Sequence, residues 1–439
     1  MVIKNQKKKI LIISRTPWRD DNSFGSSFSN IFGNIDEIEI ANIYCSSGVP
    51  NTNVAIRFFQ ISEKMILKNL FNKKNTTGKV ANLYSHSDIS SLENSENKEQ
   101  KVFRFFQKNR FQIFMWFREI IWLFGRWKSK ELNKFIDEYS PDLIFLPIYI
   151  SPYMNKIGLH IKKKSGKKMV GYISDDNYTL KQFSLNPFFW LDRLVSRRFV
   201  KKAVDACEIL YVISSIQKKD YDICFKKDCK VLYKGGNFNA FPTERYRANK
   251  PIKLLFTGNI GAGRYKTLAL IGEALDKINT NEIKAFLEIY SLTSLTRVMK
   301  SKLLIYKSLV FKGGISQEVV KKKQDEADIL VHVESFDLKE RLLVRQSFST
   351  KIVDYLQASR CIFAVGNKGT ASINYLLNNE AAVVSNKKEI ESELKKLIDS
   401  PQKIIEYGNK AWRCGVKNHQ ISEIQSMLVN DFNKIIKKK

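Results

Sequence analysis

The stretch "FSTKIVDYLQASRCIFAVGNKGT", residues 348–370, decides how the chain is read. A helix-spaced segment opens with Ser349, Thr350 and Lys351, and Asp354 and Tyr355 follow one turn later. The apolar strand "CIFAVG" comes next and ends in a Gly-containing loop. A helix beginning at a sheet edge presents free N–H groups and the positive end of its dipole, so a lysine and two hydroxyls at its start suit phosphate oxygens. Taken alone, the same residues read equally well as an N-cap followed by a solvated lysine.

Working outward, the same alternation of strand and helix recurs. Upstream, "IKLLFTGNIGAGRYKTLALIGEAL" (252–275) runs from a strand through Gly258, Gly261 and Gly263 into a helix starting near Tyr265. The strands "AFLEIYS", "LVFKGGIS", "DILVHVE", "CIFAVG" and "AAVVS" then alternate with helical segments. The first half carries the same punctuation: "KILIIS" (9–14), "EIEIANIYC" (37–45), "PDLIFLPIY" (141–149), "KKMVGYISDDNY" (167–178), "CEILYVIS" (207–214) and "CKVLYKGGNF" (229–238). Short, branched, wholly apolar runs suit parallel strands covered on both faces. The pattern predicts an α/β protein with two tandem Rossmann-like, doubly wound parallel-sheet domains facing across a cleft. The expected divisions are a first domain over 1–240, a polar, Pro-containing boundary at 239–251, and a second domain over 250–415. A helix over 416–439 is expected to pack back on the first domain.

The chain has 439 residues, 44% of them hydrophobic, and a formal net charge of +30. That charge admits nucleic acid, an anionic membrane surface or phosphate-bearing substrates as partners. Lys and Arg are spread along the chain without a recognition motif, so no specific nucleic acid is expected. Six scattered cysteines without a CxxC pair, and only four histidines, argue against structural zinc and for a reducing cytosol. The start, "MVIKNQKKKILIISRTPW", has too short an apolar run for a signal segment and reads as the first strand. No apolar run reaches the roughly 18 residues of a membrane span. Residues 63–130 read as an insertion: over 63–100 polar and Lys/Asn/Ser-rich, an insertion or loop that is in part helical, then the aromatic and basic "KVFRFFQKNRFQIFMWFREIIWLFGRW" (101–127). The latter is either an amphipathic helix packed on its own domain or an interfacial helix on an anionic bilayer.

Two constellations carry chemistry. In "FTGNIGAGRYKTL" the glycines allow close approach of an anion, and Arg264 and Lys266 add charge, although a plain β-turn before a helix reads the same way. The glycines do not keep dinucleotide-fingerprint spacing, and GK[ST] is absent, so this is not a P-loop. Together with the opening stretch, it places two anion-competent helix starts at the carboxyl edge of one sheet, as for a single diphosphate held by both. In the first half, Asp175 and Asp176 end a strand, either as cleft carboxylates or as a helix N-cap.

From about Ile252 to Val384 the chain resembles the nucleotide-sugar-binding domain of the GT-B glycosyltransferases, the group-1, family 4-like type. The resemblance rests on "LLFTGNIGAGRYKTLALIGEAL", "FKGGISQEVVKKKQDEADILVHVES", the opening stretch and "INYLLNNEAAVV", in that order. It implies a nucleoside-diphosphate sugar donor, no cofactor and no metal. It implies that Gly258, Asn259 and Gly261 admit the diphosphate and that Arg264 and Lys266 neutralise it. Gly314 would lie near the base, while Glu334, Ser349, Thr350 and Lys351 would line the donor site. Asp354 matches the second carboxylate of the E-x7-E signature, and the first is replaced by Gln346, giving Q-x7-D. Glutamine can hydrogen-bond a hydroxyl but carries no charge, which bears on the retaining outcome the family implies. Asp175, Asp176, Arg264 and Lys351 are the expected catalytic groups, with Gly25 in an acceptor-side loop. The reading is a metal-independent glycosyltransferase acting on a lipid-linked or surface glycan, cytoplasmic and peripheral on the inner membrane face. The alternatives are a GT-B-like nucleotide-sugar epimerase or hydrolase and a basic nucleic-acid-binding protein.

Overall fold

The computed structural model describes residues 7–83, 112–241 and 248–437. The first sheet contains β1 (Lys8–Ser14), β2 (Ile38–Tyr44), β3 (Arg57–Ile61), β4 (Gly78–Ala81), β5 (Leu143–Pro147), β6 (Met169–Ile173), β7 (Ile209–Val212) and β8 (Lys230–Val231). Its order is β4-β3-β2-β1-β5-β6-β7-β8. The strand pairs are parallel except β4, which runs antiparallel to β3. The second sheet contains β9 (Ile252–Thr257), β10 (Ala285–Tyr290), β11 (Leu309–Gly313), β12 (Ile329–Val333), β13 (Cys361–Val365) and β14 (Val383–Ser385), parallel throughout in the order β11-β10-β9-β12-β13-β14. The α/β, two-sheet architecture expected from the alternating pattern is present. Strands β5, β6, β12 and β13 are buried at every position because helices cover both faces, which is why they read as continuous apolar runs.

In each sheet the strand order reverses once, between β1 and β5 and between β9 and β12. Open α/β sheets bind ligands outside the carboxyl ends at such switch points. The loops after β9 and β12 carry Gly258 and Glu334, so the topology itself brings the Gly-rich turn beside that carboxylate.

The described part of the stretch 63–100 is partly helical and is built into the first domain. Glu63–Phe71 is a helix whose N-cap Ser62 accepts from the Met65 amide, and Gly78–Ala81 adds the edge strand β4. Ile66 enters the first domain's core, and a Cβ on Gly125 would overlap it. The expected 101–127 helix is seen over Gln112–Phe124, and 84–111 lies outside the described residues. The middle of the expected domain boundary, 242–247, also lies outside them.

After Pro401–His419 the chain turns at Gln420, and the helix Ile421–Lys437 returns to the first sheet. Ile424, Leu428, Phe432 and Ile435 join the core cluster of Ile10, Ile12, Phe32 and Phe145. Asp431 accepts from Tyr211 Oη at 2.7 Å and Lys230 Nζ at 2.6 Å. The turn is held by the Gly236 amide on His419 O (2.8 Å) and the Ile421 amide on Gly236 O (3.0 Å).

Candidate active site

The turn after β9 is shaped by what crosses it. Gly258 sits at φ +137°, and a Cβ there would overlap Lys351 Nζ. Lys351 lies across this glycine and donates to Thr257 O at 3.0 Å. Gly263, at φ +75°, opens the helix Arg264–Ile278 without a side-chain cap, and the turn itself takes up the first amides: Arg264 N–H donates to Gly261 O (3.2 Å), Tyr265 N–H to Ile260 O (3.0 Å) and Lys266 N–H to Gly263 O (3.0 Å). Asn259 Oδ1 accepts from the Gly261 amide (2.6 Å) and from Thr293 Oγ1 (3.2 Å), so Asn259 holds the loop in shape.

Arg264 forms an ion pair with the buried Glu334, 3.0 Å apart, and Thr267 Oγ1 donates to Glu334 O at 2.9 Å. Burial raises the Glu334 carboxyl, opposed by Arg264 and Lys351. Burial, and next the Arg264 charge, pushes the Lys351 ammonium down to about 8. Beneath them His332 Nε2 lies 3.6 Å from Glu334 Oε1 and makes no hydrogen bond within the described residues. Burial with Lys351 and Arg264 pushes that imidazole down to about 3, so it is neutral at physiological pH. Two cations therefore face one carboxylate at a sheet switch point, beside the positive dipole end of the helix Arg264–Ile278. Such a cluster has a surplus positive charge for an incoming diphosphate.

Lys266 is placed elsewhere: it is exposed and pairs with Asp337 at 2.7 Å on the outer side of the turn. Ser349 and Thr350 flank the start of Lys351–Gln357, which is only seven residues long, and Thr350 makes no side-chain cap. So short a helix has little dipole, and on this side the charge of Lys351 dominates. The Ser349 amide donates to Ser372 Oγ at 3.0 Å. Asp354, one turn on, pairs with Lys234 Nζ of the first half at 2.7 Å. Both line a cavity of about 400 Å³ between the halves, with Ser26, Gln317, Lys321, Thr350 and Gln357. Gly314 follows Gly313 (φ +77°), and a Cβ on Gly314 would overlap the Leu292 side chain.

Three expected positions are corrected. Asp176 does not face the cleft: it is buried, accepts from the Tyr178 amide (3.2 Å), the Thr179 amide (2.8 Å) and the Thr179 hydroxyl, and pairs with buried Arg193 at 3.0 Å. Its lone pairs are spent on the turn after β6, leaving none for a substrate. Asp175 is exposed and accepts from Ser347 Oγ of the second half at 2.8 Å. Gln346 is fully buried between the halves, where Nε2 donates to Asp220 at 2.5 Å and its backbone carbonyl accepts from Ser214 Oγ at 2.6 Å, while Oε1 has no partner among the described residues. Its amide nitrogen helps close the interface, with Arg345 on the same Asp220. Gly25 is in the first turn of the helix Ser23–Phe32, not in a loop; a Cβ there would overlap the Arg19 carbonyl, and the neighbouring Ser26 lines the cavity.

Sequence reading missed His332, Lys234, Asp220 and Arg193. Lys234 stands in "YKGGNF" beside a Gly-Gly turn, where one lysine among so many gives no signal. His332 sits inside an apolar strand two positions before Glu334, a spacing that puts both on one face; what needs the alignment of β12 beside β9 is the pair of cations above them.

No family model matches the sequence, and no curated protein matches it. Solved structures do match over nearly the whole chain. HepE of Anabaena in complex with UDP is 11% identical, with a TM-score of 0.61 covering 97% of this chain and 100% of that one. Sucrose-phosphate synthase from Thermosynechococcus elongatus is 11% identical, with a TM-score of 0.61 over 99% and 100%. The structure described as trehalose-6-phosphate from E. coli bound with UDP-2-fluoro glucose is 10% identical, with a TM-score of 0.58 over 97% and 99%. The chain has the GT-B glycosyltransferase fold.

Proposed function

We propose that the protein is a glycosyltransferase that moves a sugar from a nucleoside-diphosphate donor to a glycan or glycolipid acceptor. The observation that carries this reading is the Arg264–Glu334–Lys351 cluster laid over Gly258 at the second sheet's switch point. Solved structures of the same fold hold UDP and UDP-glucose. When the bond between the anomeric carbon and the diphosphate breaks, the leaving group takes the electron pair. Arg264, Lys351 and the Arg264–Ile278 helix start would stabilise that charge without a metal. The acceptor oxygen forms the new bond to the anomeric carbon, with retention of configuration, and passes its proton to the oxygen of the departing diphosphate. Asp175, exposed at the cleft edge, would orient that acceptor hydroxyl. The base and ribose would occupy the cavity lined by Gln317, Lys321 and Asp354.

The test is thermal stabilisation by a panel of nucleoside diphosphates and nucleotide sugars in EDTA. Binding to the folded state raises the midpoint by mass action. One nucleotide family should shift it, and Arg264→Ala or Lys351→Ala should weaken binding about 10- to 100-fold, as expected for loss of one charge-assisted hydrogen bond. No shift with any ligand defeats the reading. The anomeric configuration of the product, read by NMR, decides retention.

A further inference from the structure

We propose that the paired helices Gln112–Phe124 and Pro187–Asp205 form a docking face for an anionic lipid bilayer. The two are neighbours: Trp116 Nε1 donates to Asp192 at 3.1 Å, and its ring packs edge-on against Phe188 with centroids 6.0 Å apart. Each helix has already satisfied its inward side, with Ile121 and Trp122 on one and Val200, Ala203 and Val204 on the other buried in the core. Each nonetheless carries a second apolar stripe at helical spacing facing solvent. On the first it is Phe117, Ile120 and Phe124; on the second, Leu191, Leu194 and Val195. Leu185, 88% exposed, stands in the loop leading into the second helix. Two stripes of large side chains on adjoining helices are a surplus, unlike the single exposed apolar residues of ordinary surfaces.

The charge around the stripes selects the occupant. Exposed Arg126, Lys128 and Lys130 follow Phe124 directly, and exposed Arg198, Lys201 and Lys202 follow Val195. The acidic groups of these helices are engaged: Glu119 accepts from the Tyr153 amide at 3.0 Å, Asp192 from Trp116, and Asp205 pairs with Lys201 at 3.0 Å. Apolar stripes flanked by basic side chains match an acyl boundary topped by anionic headgroups. Pairing with a second copy would instead set like charges together on chains of net charge +30. Among the described residues no helix is long and apolar enough to cross a membrane, so the face lies on the bilayer. It also borders the cleft: Arg118 of the first helix donates to Ser151 Oγ at 3.2 Å in the loop beyond β5. An acceptor held in that bilayer by a lipid would enter the cleft from this edge.

The experiment is co-sedimentation of the full chain with phosphatidylcholine vesicles, alone and with a third of the lipid replaced by phosphatidylglycerol. Binding is expected only to the mixed vesicles. It should fall at least tenfold in Leu191→Glu/Leu194→Glu and in Ile120→Glu/Phe124→Glu, with unchanged thermal midpoints showing that each variant is folded. The proposal is overturned if the wild type stays in the supernatant, or if both folded variants bind like the wild type. It is equally overturned if lipid-free chains dimerise through these residues. None of these outcomes touches nucleotide binding, so this inference and the donor reading fail separately.

Discussion

Lys351 carries the most chemistry of any single residue in the site. Its ammonium loses protons around pH 8 because burial and Arg264 disfavour its charge. The protonated form binds the donor's anion, so affinity for a nucleoside diphosphate should hold below that pH and decline as pH rises through it. Titration calorimetry between pH 6.5 and 9.5 checks this, and Lys351→Arg should flatten the profile, since arginine keeps its proton. Asp176 tests the opposite role. Removing one partner of its buried pair with Arg193 leaves an uncompensated charge, so Asp176→Ala should cost about 3–5 kcal/mol of stability in urea titration. The folded fraction should keep its turnover; a collapse of kcat at unchanged stability would restore Asp176 to catalysis.

At the scale of elements, the Gly-rich turn is tied to the helix that crosses it. Gly258→Ala must place a Cβ where Lys351 Nζ lies, at a φ that side chains rarely adopt. It should destabilise by about 1–3 kcal/mol and also displace the lysine. Calorimetry should therefore show the donor-affinity loss of Lys351→Ala, whereas Gly313→Ala, with open space around its Cβ, should show strain alone. The elements most legible in sequence are those buried on both faces, β5, β6, β12 and β13, because an apolar run has few other uses. Strand β3 was not legible, and the helix Glu63–Phe71 was legible only as part of an insertion. The partner that buries Ile66 is a helix about sixty positions further along the chain, which local periodicity cannot reveal.

For the whole molecule, the returning helix Ile421–Lys437 straps the two halves together. Phe432 is fully buried among Phe32, Phe145 and their neighbours. Phe432→Ala should cost about 3–5 kcal/mol, and protease cleavage near Gln420 should then release the last helix. A variant that unfolds with wild-type midpoint and resists cleavage would show that the strap is dispensable.

The sequence by itself determined the α/β class, the two tandem sheets and the Gly-rich turn with Arg264, because these rest on periodicity and local backbone needs over a dozen residues. Tertiary structure alone decided which polar groups are spent and which are free. Asp176 and Gln346 look like reactive groups in a line of letters, yet Arg193 holds the carboxylate of the first and Asp220 the amide nitrogen of the second, from positions 17 and 126 residues away. Arg264 and Glu334 become a site only because β9 and β12, far apart in sequence, end side by side. A side chain's remaining hydrogen-bonding capacity is a sum over neighbours, and the neighbours are chosen by the fold.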